Sequence, residues 1–485
     1  MPRLLVHLED RSQGILFDNT PLLSELLREK GFSISTPCGS AGVCSRCGLR
    51  VKGSMLPPPR SGFALACKTR LTGDAEVWLD EASRLTNIAM AGTLPLMSLD
   101  PLEGDYGLAV DIGTTTIAVL LMDLRTGRQL AAAASGNPQS ALSDNVIGRI
   151  SATLNGQGRQ LNKLVREEIN RLCGEVCRAA DIRPDDIAHT VITGNTAMLY
   201  FYRSLNPQAL AAAPFQADHL FGEWAEQAVY LPRCIGAFLG ADLTMAIVAS
   251  GMCAQEETAL LADIGTNGEI ALWHKGQLYC AAAAAGPAFE GGGIKKGLGS
   301  VNGAIDTVSV QGQELSYTTI GGMPARGLCG SGLIDAAAAF LELGLMDETG
   351  RLKGTQVNLT DDVALYQDDI RKLQLAKGAV AAAIGTLCET AGVSLPGIQR
   401  FYLAGGFGTN MNAKSAARIG LIPHRLLDRT VPLGNAALSG AAMLLVDKGK
   451  IDESLSLAKI AQKITLSGNA LFAELFTERM FFEEY

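Results

Sequence analysis

The stretch GLAVDIGTTTIAVLLMDLRTGR (107–128) returns in the second half of the chain as LLADIGTNGEIALWHKGQ (260–277). In each, an apolar run ends on an aspartate, Asp111 or Asp263, and a glycine, Gly113 or Gly265, makes the turn. Short polar side chains line that turn, namely Thr114, Thr115 and Thr116 in the first copy and Thr266 and Asn267 in the second. A second apolar run then leaves. Runs of this kind on either side of a glycine turn read as strands joined in a hairpin. Such a tip presents backbone N–H groups and hydroxyls to phosphate oxygens, and its aspartate can hold a magnesium-bound or attacking water. Two copies imply two similar halves facing one another across a cleft, with both aspartates around one metal ion.

A third loop, FYLAGGFGTNMN (401–412), places Gly405, Gly406 and Gly408 behind another apolar strand, where bare backbone lets a nucleoside lie flat. Two Asp-x-Gly-Thr hairpins with this loop behind them resemble the sugar kinase, Hsp70 and actin superfamily of ATPases over roughly residues 106–445. The resemblance implies an α/β, RNase H-like core of two lobes, 106–259 and 260–448, followed by an extension, 449–485. It also implies an ATP and Mg2+ site built from Asp111 to Thr116, Asp263 to Asn267 and Gly405 to Gly408.

Other glycine-rich stretches fit that frame. ITGNTAM (192–198) is either a phosphate-binding helix start or a tight connection. GPAFEGGGIKKG (286–297) carries Glu290, which either orients the hydrolytic water or is simply an exposed loop carboxylate. The small residues of GLCGSGLIDAAAAFLELG (327–344) and LGNAALSGAAMLL (433–445) suit close helix packing near the hinge between the halves.

The N-terminal region carries a different chemistry. Residues 4–10 and 15–18 read as a hairpin turning at Ser12-Gln13-Gly14, and a helix should follow with Thr20 as its cap and Pro21 at its first position. Next comes TPCGSAGVCSRCGLRVKG (36–53), and later FALACKTRL (63–71). Cys38, Cys44, Cys47 and Cys67 thus follow C-x5-C-x2-C-x19-C, with glycines that let backbone wrap a compact inorganic cluster. Four cysteines also satisfy tetrahedral zinc, but zinc ribbons use two C-x2-4-C knuckles and here one cysteine stands alone. The arrangement resembles [2Fe–2S] ferredoxins, implying an α+β, β-grasp, ferredoxin-like domain over 1–85 and a linker over 86–105. The other seven cysteines sit in apolar or glycine-rich surroundings and read as buried thiols.

Bulk properties narrow the setting. The chain has 485 residues, 47% apolar and 19% charged, which suits several packed domains. A net charge of −8 argues against nucleic acid or an anionic membrane as partner. Acidic residues interrupt the N-terminus before a signal-peptide core can form, and no run suits a membrane span, so the chain reads as cytoplasmic.

Taken in order, the cysteine domain, AVDIGTTT, ADIGTNGE, GPAFEGG, GLCGSGLID and LAGGFG resemble the reductive activators of corrinoid-dependent methyltransferase systems. The resemblance covers nearly the whole chain. It implies an ATP-dependent one-electron reductase that returns cob(II)alamin on a corrinoid protein to cob(I)alamin, supplied by an upstream low-potential electron donor. It leaves homodimerisation open. A plant-type cluster lies near about −400 mV, and each ~59 mV uphill costs a factor of ten for one electron, so ATP has a task. Two departures stand out: residues 68–105 alone separate Cys67 from the first ATPase strand, and Ser143-Asp144-Asn145 replaces an expected Gly-Ala-Asp. An ATP-gated donor to another low-potential enzyme and a nucleotide-binding redox regulator are the rival readings.

Overall fold

A computed structural model describes residues 1–7, 12–30, 48–59, 63–79, 99–143, 145–213, 215–226, 228–405 and 411–485. The N-terminal part comprises β1 (Arg3–His7), β2 (Ser12–Leu16), α1 (Leu23–Glu29), β3 (Gly48–Leu56), β4 (Phe63–Leu65) and β5 (Arg70–Trp78). The sheet order is β2-β1-β5-β3-β4, with β1 and β5 parallel and the other pairs antiparallel, a β-grasp arrangement. Leu23, Leu26 and Leu27, at i, i+3 and i+4, put one face of α1 into a core with Leu4, Val6, Val51, Leu71 and Val77. Each such buried side chain contributes about 1.5–3 kcal/mol.

Two local expectations change here. Ser12, Gln13 and Gly14 are not a turn but part of β2, paired with His7, Val6 and Leu5. Helix α1 starts at Leu23 rather than Pro21. The Pro21 carbonyl accepts the Leu71 N–H (3.0 Å) and Leu22 bridges to Arg70, so this stretch is drawn onto β5.

Lobe one follows with β6 (Tyr106–Ile112), β7 (Thr116–Asp123), β8 (Arg128–Gly136), α2 (Val146–Ala152), α3 (Gly158–Ala179), β9 (Ile187–Gly194), α4 (Thr196–Arg203), α5 (Gln208–Ala211), β10 (Glu223–Glu226), β11 (Val229–Leu231) and α6 (Ala241–Ser250). Lobe two has β12 (Ala259–Ile264), β13 (Gly268–His274), β14 (Gln277–Ala283), β15 (Ala304–Gln311), β16 (Glu314–Thr319), β17 (Gly327–Leu328), α7 (Gly330–Glu342), β18 (Gln356–Asn358), β19 (Ala364–Tyr366), α8 (Gln367–Ala391), β20 (Arg400–Ala404), α9 (Ala413–Arg418), β21 (Thr430–Gly434) and α10 (Ala436–Val446). The chain closes with α11 (Gly449–Ile460), β22 (Gln462–Lys463) and α12 (Ala470–Glu478).

The two lobes repeat one plan. Lobe one carries the order β11-β9-β6-β7-β8 and lobe two β21-β20-β12-β13-β14, each an antiparallel meander extended by parallel strands. Strand β6 is apolar from Gly107 to Val110, ahead of Asp111, because both its faces are covered. Leu108, Val110 and Ile112 join a core with α3 and α4, whereas Ala109 faces a core containing α6 and α10.

Helices α6 and α10 cross between the lobes. Gly440 of α10 sits so close to α6 that a Cβ there would lie 2.1 Å from the Met245 carbonyl oxygen. This matches the close packing expected of 433–445. The stretch 327–344 packs differently: α7 lies on β15 within lobe two, where a Cβ on Gly332 would meet the Ile305 carbonyl at 2.1 Å. Residues 449–485 pack onto the lobes, with α11 against α6, β22 beside β14, and α12 along α8. Among the described residues no helix is long and apolar enough to cross a membrane.

Candidate functional site

The two aspartates occupy equivalent places. Asp111 is the penultimate residue of β6 and Asp263 the penultimate residue of β12. Each hairpin tip is closed by a backbone bond from its glycine, Gly113 N–H to the Thr116 carbonyl (2.8 Å) and Gly265 N–H to the Asn267 carbonyl (2.9 Å). Both tips open into one cleft of about 230 Å3. Asp111, Gly113, Thr114, Thr115, Thr116, Asp263, Gly265, Thr266, Asn267, Glu290 and Gly405 all line it. Strand β20 runs parallel to β12 with Ala404 opposite Asp263, and Gly405 then turns away at φ +92°. A Cβ on Gly405 would lie 2.5 Å from Asp263 Oδ1, so glycine is required for this close approach. Gly406 and Gly408 lie outside the described residues, as do Cys38, Cys44, Cys47, Asp144 and the linker residues 86–98.

Sequence reading missed five polar residues of the cleft: Asn195, Asp242, Glu269, Ser300 and Asn435. Glu269 pairs across the hairpin with Asp263. Asp242 stands in the first turn of α6. Asn195 caps α4 by accepting the Met198 N–H, and its amide donates to Thr114 Oγ1 (3.1 Å). Asn435 caps α10 in the same way through Leu438 N–H and donates across the lobes to Asp111 Oδ2 (3.0 Å). The shared signal was Gly-Asn at a strand end before an apolar helix, an N-cap pattern. Nothing local marks Asp242. For ITGNTAM the tight-connection reading gains support, since Gly194 at φ +155° would put a Cβ 2.6 Å from the Ile112 carbonyl.

Electrostatics concentrate on four carboxyls. Burial pushes Asp111 up to about 7, with Asp242 adding repulsion and the Asn435 bond partly offsetting both. Asp263 is likewise pushed up to about 7 by burial, then by Asp242 and Asp111. Burial raises Asp242 to about 6 against the opposing pull of the Leu243 N–H. Glu269 is also held well above the carboxylate range, by burial first and then by Asp242 and Asp263. No Lys or Arg is among the described residues that line the cleft, so charge on these carboxyls is relieved by retained protons or by a bound cation. Among the described residues no three His, Cys, Asp or Glu side chains form a metal cage by themselves. Magnesium fits such a site, because it keeps several waters and needs only one or two carboxylates beside phosphate oxygens.

Glu290 is not a solvated loop acid. It ends a short turn, Pro287–Glu290, and accepts hydrogen bonds from Thr115 Oγ1 and from Thr266 Oγ1 (2.8 Å). Behind the first tip, Asn137 and Arg149 form a buried brace. Asn137 donates to the Gly113 carbonyl (2.8 Å), and fully buried Arg149 donates to the carbonyls of Thr114 (2.7 Å) and Ser143 (2.9 Å). Asn145 of the divergent stretch caps α2 through Gly148 N–H.

In the N-terminal domain Cys67 is buried, on the turn after β4 that docks onto the start of α1 through Ser24 N–H to the Ala66 carbonyl (3.1 Å). Gly48, the first residue after the three-cysteine segment, pairs with Leu65, two residues before Cys67. The start of β3 therefore lies beside the turn that carries Cys67. Among the scattered cysteines, burial pushes Cys173, Cys234, Cys253 and Cys388 up to about 12, which keeps them as unreactive thiols.

Residues 257–485 match the family described as the C-terminal domain of RACo, the ASKHA domain, and residues 106–255 match the RACo middle region. The chain is 30% identical over 415 residues to the corrinoid activation enzyme RamQ of Eubacterium limosum, covering 76% of this chain and 69% of that one. It is 26% identical over 397 residues to a Co(II) methylated amine-specific corrinoid protein reductase of Methanosarcina barkeri, covering 73% and 72%. A solved reductive activator for corrinoid, iron-sulfur protein superposes with a TM-score of 0.72 at 27% identity, covering 100% of this chain and 99% of that one. Two duplicated lobes meeting at one acidic cleft, matched end to end in this way, place the chain in the RACo family, with an ASKHA fold in its two lobes.

Proposed function

We propose that this protein is an ATP-dependent reductive activator of a corrinoid protein, returning cob(II)alamin to cob(I)alamin one electron at a time. The observation that carries this reading is one chain in which two matching hairpins bring Asp111 and Asp263 to a single cleft, preceded by four cysteines at cluster spacing. The relatives named as corrinoid activators supply the class of partner.

In this reading Asp111 and Asp263 hold Mg2+ or its water. Gly113, Thr114, Thr115, Thr116, Gly265, Thr266 and Asn267 bind the phosphates, and Gly405, Gly406 and Gly408 bind the nucleoside. Cys38, Cys44, Cys47 and Cys67 would hold a [2Fe–2S] cluster, which when bound supplies a one-electron carrier at low potential. An upstream low-potential donor would recharge it. The cleft residues offer hydroxyl and amide donors to developing charge, where such groups count most.

Coupling gives a direct test. Hydrolysis of ATP should be slow in the isolated protein and rise at least several-fold when a Co(II) corrinoid protein is added, because the partner is the species on which ATP is used. A rate independent of the partner would speak against the reading.

A further inference from the structure

We propose that Glu290 is a removable brace across the two hairpin tips, holding the site in its nucleotide-free arrangement until a terminal phosphate displaces it. The proposal rests on the nucleotide-site reading above and adds a residue that competes with the ligand rather than serving it. One oxygen of Glu290 accepts from Thr115 Oγ1 in lobe one, and the other accepts from Thr266 Oγ1 in lobe two (2.8 Å). A single carboxylate therefore ties the lobes together through two threonine hydroxyls that line the cleft. To a hydroxyl, a carboxylate oxygen and a phosphate oxygen are the same kind of partner, an anionic acceptor. Both cannot be served at once. With no lysine or arginine among the described lining residues, the two anions also repel each other.

Phe289, just before Glu290, is buried in the lobe-two core, so release of the carboxylate is a turning of the Glu290 side chain with a local shift at the glycines after it. Glu290 ends a turn bounded by Gly286 at φ +77° and Gly291 at φ +76°, with Gly293 at φ +75° two residues on. From Gly293 onward the loop is anchored. Lys295 N–H donates to Asp369 Oδ1 (2.8 Å), Lys372 Nζ donates to the Gly293 carbonyl, and Lys295 Nζ lies 3.5 Å from the centre of the Tyr366 ring. All three contacts lie at the N-terminal end of α8, so the Glu290 side chain can turn away while Phe289 stays in the core and the far end of its loop stays on that helix.

Binding isotherms separate a brace from a catalytic acid. With Mg2+ and the intact protein, wild type, Glu290→Ala and Glu290→Gln would each be titrated with a non-hydrolysable ATP analogue and with ADP. If the brace is closed about nine-tenths of the time, its removal tightens the analogue about tenfold, since apparent affinity scales with the open fraction. ADP should gain much less, because it lacks the terminal phosphate. Glu290→Gln, which keeps the volume and loses the charge, should fall between wild type and Glu290→Ala, and it serves if the alanine variant fails to fold. Hydrogen exchange at residues 291–293 of wild type should accelerate when the analogue binds. Unchanged or weaker analogue binding in the variants, or unchanged exchange, overturns the brace. Should wild type bind neither nucleotide, the nucleotide-site reading itself falls and the brace with it.

Discussion

Asp111 and Asp263 show what the cleft costs in the absence of a cation. Both are held near 7 against an ordinary value of 3.8, so between roughly pH 4 and 7 the folded protein keeps protons that the unfolded chain has released. The sign follows directly. This contribution to stability is complete below about pH 4 and is lost as pH rises through about 7. The melting temperature of nucleotide-free protein in a chelator should therefore fall between about pH 5.5 and pH 8. Asp263→Asn should flatten that slope and raise the melting temperature at pH 8, while cutting ATP hydrolysis by on the order of 10²-fold or more. An unchanged slope would mean that the carboxyls do not share one field. Both aspartates were legible from the repeated motif. Asp242, which raises each of them, was not, because its link to the site is a crossing of α6 between lobes and leaves no mark on its neighbours in the chain.

The seam between α6 and α10 ties packing to the site. Gly440 lets α10 lie against Met245, and Asn435 at the start of α10 reaches Asp111 in the other lobe (3.0 Å). Gly440→Ala would place a methyl 2.1 Å from a carbonyl oxygen that belongs to backbone and cannot swing aside. It should destabilise by about 1–3 kcal/mol and, by shifting Asn435, weaken ATP hydrolysis as well. Denaturant midpoints and turnover measured on the same samples check this, and an unaffected variant would show that the two helices tolerate separation. The small residues of 433–445 announced this contact in the sequence. Those of 327–344 serve a different one, because α7 is packed against β15, and a run of alanine and glycine specifies closeness without naming the neighbour. At α1, tertiary pairing overrode a good local start signal: Pro21 and Leu22 bond to Leu71 and Arg70 instead of entering the helix.

At the scale of the whole molecule, the duplication β11-β9-β6-β7-β8 against β21-β20-β12-β13-β14 was readable from two hairpin motifs and one glycine loop. How α10, from the second half of the chain, covers the sheet of the first half was not readable, because swapped helices obey the same apolar pattern as unswapped ones. In the proposed function this acidic cleft and the four-cysteine domain act together on a corrinoid. The most direct test of this is anaerobic: reduced protein mixed with a cob(II)alamin-bearing corrinoid protein, with the corrinoid spectrum followed with and without MgATP, and Cys67→Ser as control. Catalytic formation of cob(I)alamin is expected only when ATP is present and Cys67 is intact. Equal reduction with and without ATP, or no reduction by a protein that hydrolyses ATP and carries its cluster, would contradict it.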